Sequence, residues 1–256
     1  RRMIKKIIIT ALLLTAISYT QQWGTVDIET QSGNQIDISV ETPYLRMTMA
    51  NETVNEDDTQ FGIMNLIDAY DGRSNNNTAG IIDGAPGGAI ANDAYLTDES
   101  HNSVSFELRY NDGRRWEYTV YENSPVIRVD YHSWNYFKAF QDFCTPGGMR
   151  SGNEVIIYGS ENYHREIVDM SQQNYYESNR DRSEADALSY NGWFIIGYYN
   201  PDNMNGYARV FQFDDCTKIK LMLCFGIEGF FNQTGVTGYI FPFSHGPDEM
   251  MEIAYE

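Results

Sequence analysis

The sequence predicts an all-β protein, an antiparallel β-sandwich of the supersandwich or jelly-roll type with little helix. Apolar and polar residues alternate in many short segments, turn residues separate these segments, and no segment keeps a helical period over about ten residues. The chain has 256 residues, 42% of them hydrophobic, which is enough to bury a core. Because no linker or internal repeat divides it, we expect one domain over residues 21–256.

Two hairpins are the clearest elements. Residues 25–30 and 36–40 alternate in polarity on either side of a short Gly-containing turn. Residues 104–110 and 116–121 flank Asp112-Gly113, a pair that supplies the positive φ angles of tight hairpin turns. Further strands are predicted at residues 44–49, 126–131, 154–158, 192–199, 207–213, 218–225 and 238–243.

Two polar stretches, residues 51–58 and 68–93, are predicted to be loops. The acid-rich segments 55–58 and 93–99 offer oxygen ligands that suit Ca²⁺, but neither has a recognisable ligand spacing. We therefore expect no cofactor, with calcium as the alternative.

The N-terminus has the pattern of a secretory signal peptide. Lys5 and Lys6 precede an apolar run over residues 7–17 that is too short to span a bilayer comfortably. Small polar residues follow, and a signal peptide over residues 1–20 is predicted. The protein is then expected to be secreted, to the periplasm or the extracellular space; an uncleaved membrane anchor is the alternative.

Charge excludes two classes of partner. Residues 1–20 hold four of the 18 basic residues and none of the 36 acidic ones, so the rest of the chain carries a net charge of −22. Such a chain repels nucleic acid and anionic membranes. The sequence leaves open the oligomeric state, any disulfide among Cys144, Cys216 and Cys224, and glycosylation at Asn51, Asn76 and Asn232.

Basic residues concentrate between residues 109 and 182, where nine of the fourteen that follow residue 20 lie. Arginine binds a carboxylate through two parallel hydrogen bonds, and aromatic rings stack on sugar rings. Tyrosine and histidine in the same interval can transfer protons. This mixture is what β-elimination on a uronic-acid glycan requires, since a cation must neutralise the uronate carboxylate while a base removes the neighbouring proton.

The candidate site follows from this interval. The residues proposed for proton transfer are His164, Tyr163, Tyr175 and His132. Those proposed to bind substrate are Arg150, Arg165, Arg128, Lys138, Trp134 and Tyr176. Near the C-terminus, Glu249 is either a general base or a capping carboxylate, and His245 is expected in a turn.

Residues 191–211 and 238–249 resemble the late strands of galactose-mutarotase-like β-sandwiches, and residues 116–129 are similar to sandwiches of polysaccharide lyases. The resemblance covers about half of the chain and implies a concave sheet that faces carbohydrate. It does not include the catalytic histidine motif of the mutarotases. Residues 136–139 resemble part of a motif of jelly-roll alginate lyases, but Phe140 stands where that motif has glycine.

Two functions are consistent with these observations. The first is a secreted carbohydrate-active protein, most concretely a lyase that cleaves a uronic-acid polysaccharide or oligosaccharide. The second is a non-catalytic extracellular module, which either binds glycans or forms part of a surface assembly.

Overall fold

A computed structural model gives the fold. It describes residues 15–20, 24–31, 35–55, 58–69, 73–75, 83–84, 89–132, 136–139, 154–159, 166–169, 182–183, 192–200, 204–213, 216–222, 226–231 and 236–255. The strands in this part of the chain are Thr15–Thr20 (β1), Thr25–Gln31 (β2), Gln35–Glu41 (β3), Leu45–Asn55 (β4), Asp58–Asp68 (β5), Arg73–Asn75 (β6), Asp83–Gly84 (β7), Ala91–Glu99 (β8), Ser103–Tyr110 (β9), Arg115–Tyr121 (β10), Ile127–His132 (β11), Tyr136–Ala139 (β12), Glu154–Gly159 (β13), Glu166–Asp169 (β14), Arg182–Ser183 (β15), Gly192–Asn200 (β16), Asn205–Phe213 (β17), Cys216–Met222 (β18), Gly226–Phe231 (β19) and Val236–Phe243 (β20). One helix, Pro247–Tyr255 (α1), follows.

The strands form two antiparallel sheets. An eleven-stranded sheet has the order β1-β2-β3-β4-β5-β7-β12-β19-β18-β15, with β6 paired to β5. A nine-stranded sheet has the order β14-β13-β16-β17-β20-β11-β10-β9-β8. This arrangement confirms the predicted all-β sandwich with little helix.

Alternation along each strand directs apolar side chains into the space between the sheets. Val26 and Ile28 of β2 and Ile38 of β3 are at most 2% exposed. Trp116 and Tyr118 of β10 are fully buried on the facing sheet. Complete burial of a large apolar side chain contributes about 1.5–3 kcal/mol, so this layer contributes strongly to stability.

Aromatic rings connect the two sheets. Phe61 of the eleven-stranded sheet meets Tyr110 of the other edge-on, with ring centroids 6.4 Å apart. Tyr110 packs on Trp116 at 5.1 Å, and Trp116 packs on Tyr131 at 4.8 Å. Arg209, 1% exposed, lies over the Tyr131 ring and donates a hydrogen bond to its hydroxyl. The chain of rings therefore includes a buried guanidinium.

Both predicted hairpins are present. β2 pairs with β3, and β9 pairs with β10. Gly113 has a φ of 90°, as the Asp112-Gly113 turn requires.

The prediction of a loop is wrong for the described part of the first stretch, where residues 51–55 continue β4 and residue 58 begins β5. The second stretch contains the end of β5, β6, β7 and the start of β8, so it is not a continuous loop. Residues 56–57, 70–72, 76–82 and 85–88 lie outside the described residues. Asn51 pairs with Phe61, and the ladder continues outward to Asn55 and Asp58. Backbone hydrogen bonds can pair two such strands without an alternation of apolar side chains. The polar sequence therefore predicted a loop.

The acid-rich segment 93–99 is likewise not a loop. It forms β8, the terminal strand of the nine-stranded sheet, and the side chains of Asp93, Asp98 and Glu99 are exposed. Register shifts after Ala91 and after Leu96 interrupt its alternation. A terminal strand tolerates this composition because one of its edges faces solvent.

Helix α1 packs on the second face of the nine-stranded sheet. Met250 of the helix is buried with Ile195, Val210, Phe241 and Phe243. Pro247 and the acidic first turn suit a helix start. A segment of nine residues is too short to show a clear helical period, so the sequence did not predict this helix.

Glu249 fixes the start of α1 and is a capping carboxylate, the second of the two predicted roles. Its Oε2 accepts hydrogen bonds of 2.6 Å from the backbone N–H groups of Ser244 and His245. Its Oε1 lies 3.0 Å from His245 Nδ1. Burial alone would raise the pKa of Glu249, but the hydrogen bonds from His245 and Ser244 outweigh burial and lower it.

The turn at Gly113 gives a stability prediction. Gly113→Ala is expected to lower the free energy of unfolding by about 1 kcal/mol, because a Cβ disfavours positive φ. No other atom lies within 4 Å of a Cβ built at this position, so backbone strain alone sets the cost. Gly113→Asn should cost less, since Asn tolerates this conformation. Urea unfolding of the three proteins measures both effects, and equal stability of wild type and Gly113→Ala would contradict the prediction.

Candidate functional site

The nine-stranded sheet has a second face that points away from the other sheet. Helix α1 covers its apolar part, which β16, β17 and β20 contribute. On β8 to β11 this face is polar and open. We call this part the polar face, and its side chains are Tyr95, Glu107, Arg109, Arg115, Glu117, Thr119, Arg128, Asp130 and His132.

Antiparallel register arranges the polar face in rows across the strands. Glu107 pairs with Glu117, which pairs with Asp130, so three carboxylates lie side by side in an acidic row. Arg109 pairs with Arg115, which pairs with His132, in a neighbouring basic row. Directly paired residues on one face bring their Cβ atoms to about 4.5–5.5 Å, close enough for their side chains to act on one ligand.

Glu107 is the most buried carboxylate of the acidic row, at 7% exposure. Tyr95 donates a 2.5 Å hydrogen bond to its Oε1, and Arg109 Nε lies 2.9 Å from the same oxygen. The Arg109 guanidinium also lies 4.8 Å from the centre of the Tyr95 ring. Burial alone would raise the pKa of Glu107, but the hydrogen bonds from Tyr95 and Arg109 outweigh burial and lower it.

The other two carboxylates of the acidic row also have partners. Asp130 accepts hydrogen bonds of 3.0 Å from Arg128 Nη2 and 2.6 Å from Thr237. Arg128 Nε lies 3.0 Å from the second oxygen of Asp130, within ion-pair distance. Glu117 accepts a 2.5 Å hydrogen bond from Thr97.

The basic row presents a cation that is not already paired. Arg109 is committed to Glu107, and Arg128 is committed to Asp130. Arg115 is exposed, and no described carboxylate lies within ion-pair distance of it. Its cross-strand neighbour His132 is 40% exposed, and His132 Nε2 lies 3.6 Å from Glu117 Oε2. Arg115 and His132 are therefore available to a ligand on this face.

A cavity of about 590 Å³ opens at the other end of the same strands, where the sheet meets the C-terminal turn of α1. Its volume lies within the range of about 300–1,000 Å³ that is typical of small-molecule sites. The lining residues are Asn102, Tyr121, Glu122, Asn123, Ser124, Val126, Val210, Tyr239, Phe241, Ile253, Ala254 and Tyr255. Burial raises the pKa of Tyr121, although nearby Arg128 opposes this effect.

The structure places two of the predicted site residues on the same sheet face. Arg128 and His132 lie on the polar face of β11, separated by two pleats of the strand. Lys138 lies in β12 of the eleven-stranded sheet, so its backbone belongs to the other sheet. The remaining predictions concern residues outside the described part of the chain: His164, Tyr163, Tyr175, Arg150, Arg165, Trp134 and Tyr176.

Sequence reasoning did not single out Arg115 or the cavity tyrosines Tyr121 and Tyr239. The strand alternation of residues 115–121 already placed Arg115, Glu117 and Tyr121 on one face. The position of Arg115 beside His132 depends on the pairing register of β10 and β11. Tyr239 comes from a strand that is distant in sequence, and no local pattern could indicate it.

Two further findings concern metals and membranes. Among the described residues, no three His, Cys, Asp or Glu side chains are grouped so that they could hold a metal ion. The helical part of the described chain contains no segment with the length and hydropathy of a membrane span.

Comparison with known proteins gives similarities at the level of solved structures. No family model and no curated protein sequence matches the chain. The ligand-free α-N-acetylgalactosaminidase NagBb from Bifidobacterium bifidum is 9% identical, with a TM-score of 0.43 over 93% of this chain. A candidate mutarotase from Salmonella typhimurium, YeaD, is 8% identical, with a TM-score of 0.33 over 91% of this chain. The chain spans 38% of the NagBb chain and 97% of the YeaD chain.

The contacts of Glu107 predict a pH-dependent contribution to stability. Glu107→Gln is expected to lower the free energy of unfolding at pH 7 by about 1–2 kcal/mol, because the substitution removes the charge-assisted hydrogen bond to Arg109. The half-exposed position of Arg109 keeps this loss small. The pKa of Glu107 is lowered by folding, so its contribution is complete above the ordinary value of 4.5 and is lost as the pH falls through the folded value.

Urea unfolding of wild type and Glu107→Gln between neutral and acidic pH measures this contribution. The difference between the two proteins should shrink below a pH of about 4.5. Glu99→Gln, at an exposed acid of the neighbouring strand, is the matched control and should change stability little at any pH. A difference that stays constant into acid would show that the Glu107 carboxylate does not provide the stabilisation.

Proposed function

We propose that this protein acts on carbohydrate and that it binds an acidic glycan across the polar face. The observation that carries the proposal is the exposed Arg115 beside the partly exposed His132, cross-strand neighbours on an open sheet face. An unpaired guanidinium can hold a uronate carboxylate through two parallel hydrogen bonds. An extended sheet face also suits a polymeric ligand.

The more specific proposal is a lyase that cleaves a uronic-acid glycan by β-elimination. Arg115 would bind the uronate carboxylate and stabilise the negative charge that develops when the neighbouring C5 proton leaves. His132 would take that proton. The electron pair of the C5–H bond then forms the C4–C5 double bond, the C4–oxygen bond breaks, and the leaving oxygen takes up a proton from water.

Glu117 has a supporting role in this proposal. Its carboxylate lies 3.6 Å from His132 Nε2, which is longer than a hydrogen bond. Contacts of this kind often tighten when substrate binds. A carboxylate that accepts the proton of one ring nitrogen leaves the other nitrogen free to act as a base.

The net charge of −18 constrains the proposal. It opposes the approach of a polyanion at long range, so binding must depend on the local field of the basic row. The acidic row next to it contributes less repulsion than its charges suggest, because Glu107 and Asp130 are each paired with an arginine.

Lyase activity can be tested on alginate, pectin, ulvan and glucuronan, with product followed by the ultraviolet absorbance of the new double bond. We expect activity on at least one polymer and a loss of about 100-fold or more in His132→Ala and in Arg115→Ala. Arg46→Ala is the matched control, since Arg46 is an exposed arginine of the other sheet. Full activity in His132→Ala would contradict the assigned base.

The alternative is a non-catalytic glycan-binding module, which the same experiment separates from a lyase. A binding module would show no lyase activity but would be retarded by one of these polymers in affinity electrophoresis. The Arg115→Ala variant should then be retarded less than the wild type. Absence of both activity and retardation would contradict a glycan function on this face.

We also propose that the protein is exported after removal of residues 1–20. The supporting pattern is the basic and apolar sequence of the N-terminal segment. The last six residues of this segment form β1, which pairs with β2. Cleavage there would leave β2 as the terminal strand of its sheet.

N-terminal sequencing of protein recovered outside the cytoplasm of an expressing bacterium tests export. We expect an N-terminus near Gln21. Exported protein that still carries the apolar segment would contradict cleavage, and protein confined to the cytoplasm would contradict export.

A further inference from the structure

The cavity beside α1 differs in chemistry from the basic row. Among the described residues that line it, Glu122 is the one charged residue, and none is a lysine, arginine or histidine. Arg128 lies near Tyr121 but is paired with Asp130. The other polar groups of the described wall are amides and hydroxyls, such as those of Asn102, Asn123 and Ser124. A wall of this composition is unsuited to a uronate.

Aromatic and apolar side chains form the rest of the wall. Tyr121 and Tyr239 project from β10 and β20 on the same face as the basic row, and Phe241 continues β20. Ile253 and Ala254 close the cavity from the helix side. Aromatic faces pack against the C–H groups of sugar rings, and hydroxyls and amides hydrogen-bond the sugar oxygens.

We propose that this cavity binds an uncharged saccharide unit. That the ligand is a sugar rests on the proposed glycan function. That the sugar is uncharged is inferred from the composition of the cavity wall.

The position of the cavity defines the relation between the two sites. Arg115 and Tyr121 are the two ends of β10, six residues apart, which corresponds to about 20 Å along a strand. The basic row and the cavity therefore occupy opposite ends of one sheet face. A glycan that reaches both would carry a uronate at one end of the bound stretch and a neutral sugar at the other.

Isothermal titration calorimetry with neutral oligosaccharides tests the proposal. The probes are gluco-, galacto-, xylo- and manno-oligosaccharides, together with oligomers of glucuronate and galacturonate. We expect at least one neutral probe to bind with a dissociation constant of about 1 mM or tighter. In Arg115→Ala, where the polar face no longer holds a uronate, the neutral probe should bind more tightly than the uronate of the same sugar. Failure of all neutral probes, or equal binding of the matching uronate in Arg115→Ala, would overturn the proposal.

Blocking variants locate the binding. Ala254→Trp, from the helix, and Asn123→Trp, from the facing turn, should each weaken neutral-probe binding at least about tenfold by filling the cavity. Glu252→Trp is the matched control, since it adds the same ring on the exposed side of α1 and should leave affinity unchanged. Circular dichroism melting identifies a variant that fails to fold. If one of the two blocking variants does not fold, the affinity of the other, which fills the cavity from the opposite wall, provides the test.

The two proposals fail in different ways. His132→Ala and Arg115→Ala should abolish cleavage or binding of the uronate polymer while neutral-probe binding persists. Neutral binding that survives both blocking variants would overturn the cavity proposal and leave the polar-face proposal intact.

Discussion

Packing of apolar side chains between the two sheets is the constraint on which the rest of the structure depends. Because Trp116, Tyr118 and Val120 of β10 must face this layer, the alternate residues of the strand must face outward. A shift of one residue in register would bury charged groups and expose the aromatic ones. The positions of Arg115 and Glu117 on the open face are therefore consequences of the core.

Most charges of the open face are paired with one another. Each of two carboxylates, Glu107 and Asp130, is matched by an arginine from its own strand two residues away. These pairs neutralise most of the local charge and leave Arg115 available. A face that looks densely charged in the sequence thus presents a small number of groups to a ligand.

Local patterns predicted the sandwich and both hairpins because two-residue alternation and the Asp112-Gly113 turn are properties of neighbouring residues. The same alternation was sufficient to place Arg128 and His132 on one face. It failed where strands extend beyond the core, as at Asn55, since backbone pairing there needs no apolar side chain. The pairing of Arg115 with His132, and the meeting of Tyr121 with Tyr239, depend on register and on strands distant in sequence.

The acidic composition of β8 has a consequence for the behaviour of the protein at high concentration. An unpaired strand edge offers backbone donors and acceptors that another chain can adopt, which is how many β proteins begin to aggregate. Asp93, Asp98 and Glu99 surround this edge with negative charge, and its two register shifts disturb the flat ladder that an incoming strand would need. No described strand pairs with this edge of the nine-stranded sheet, and its charge and irregular register disfavour pairing with a second chain.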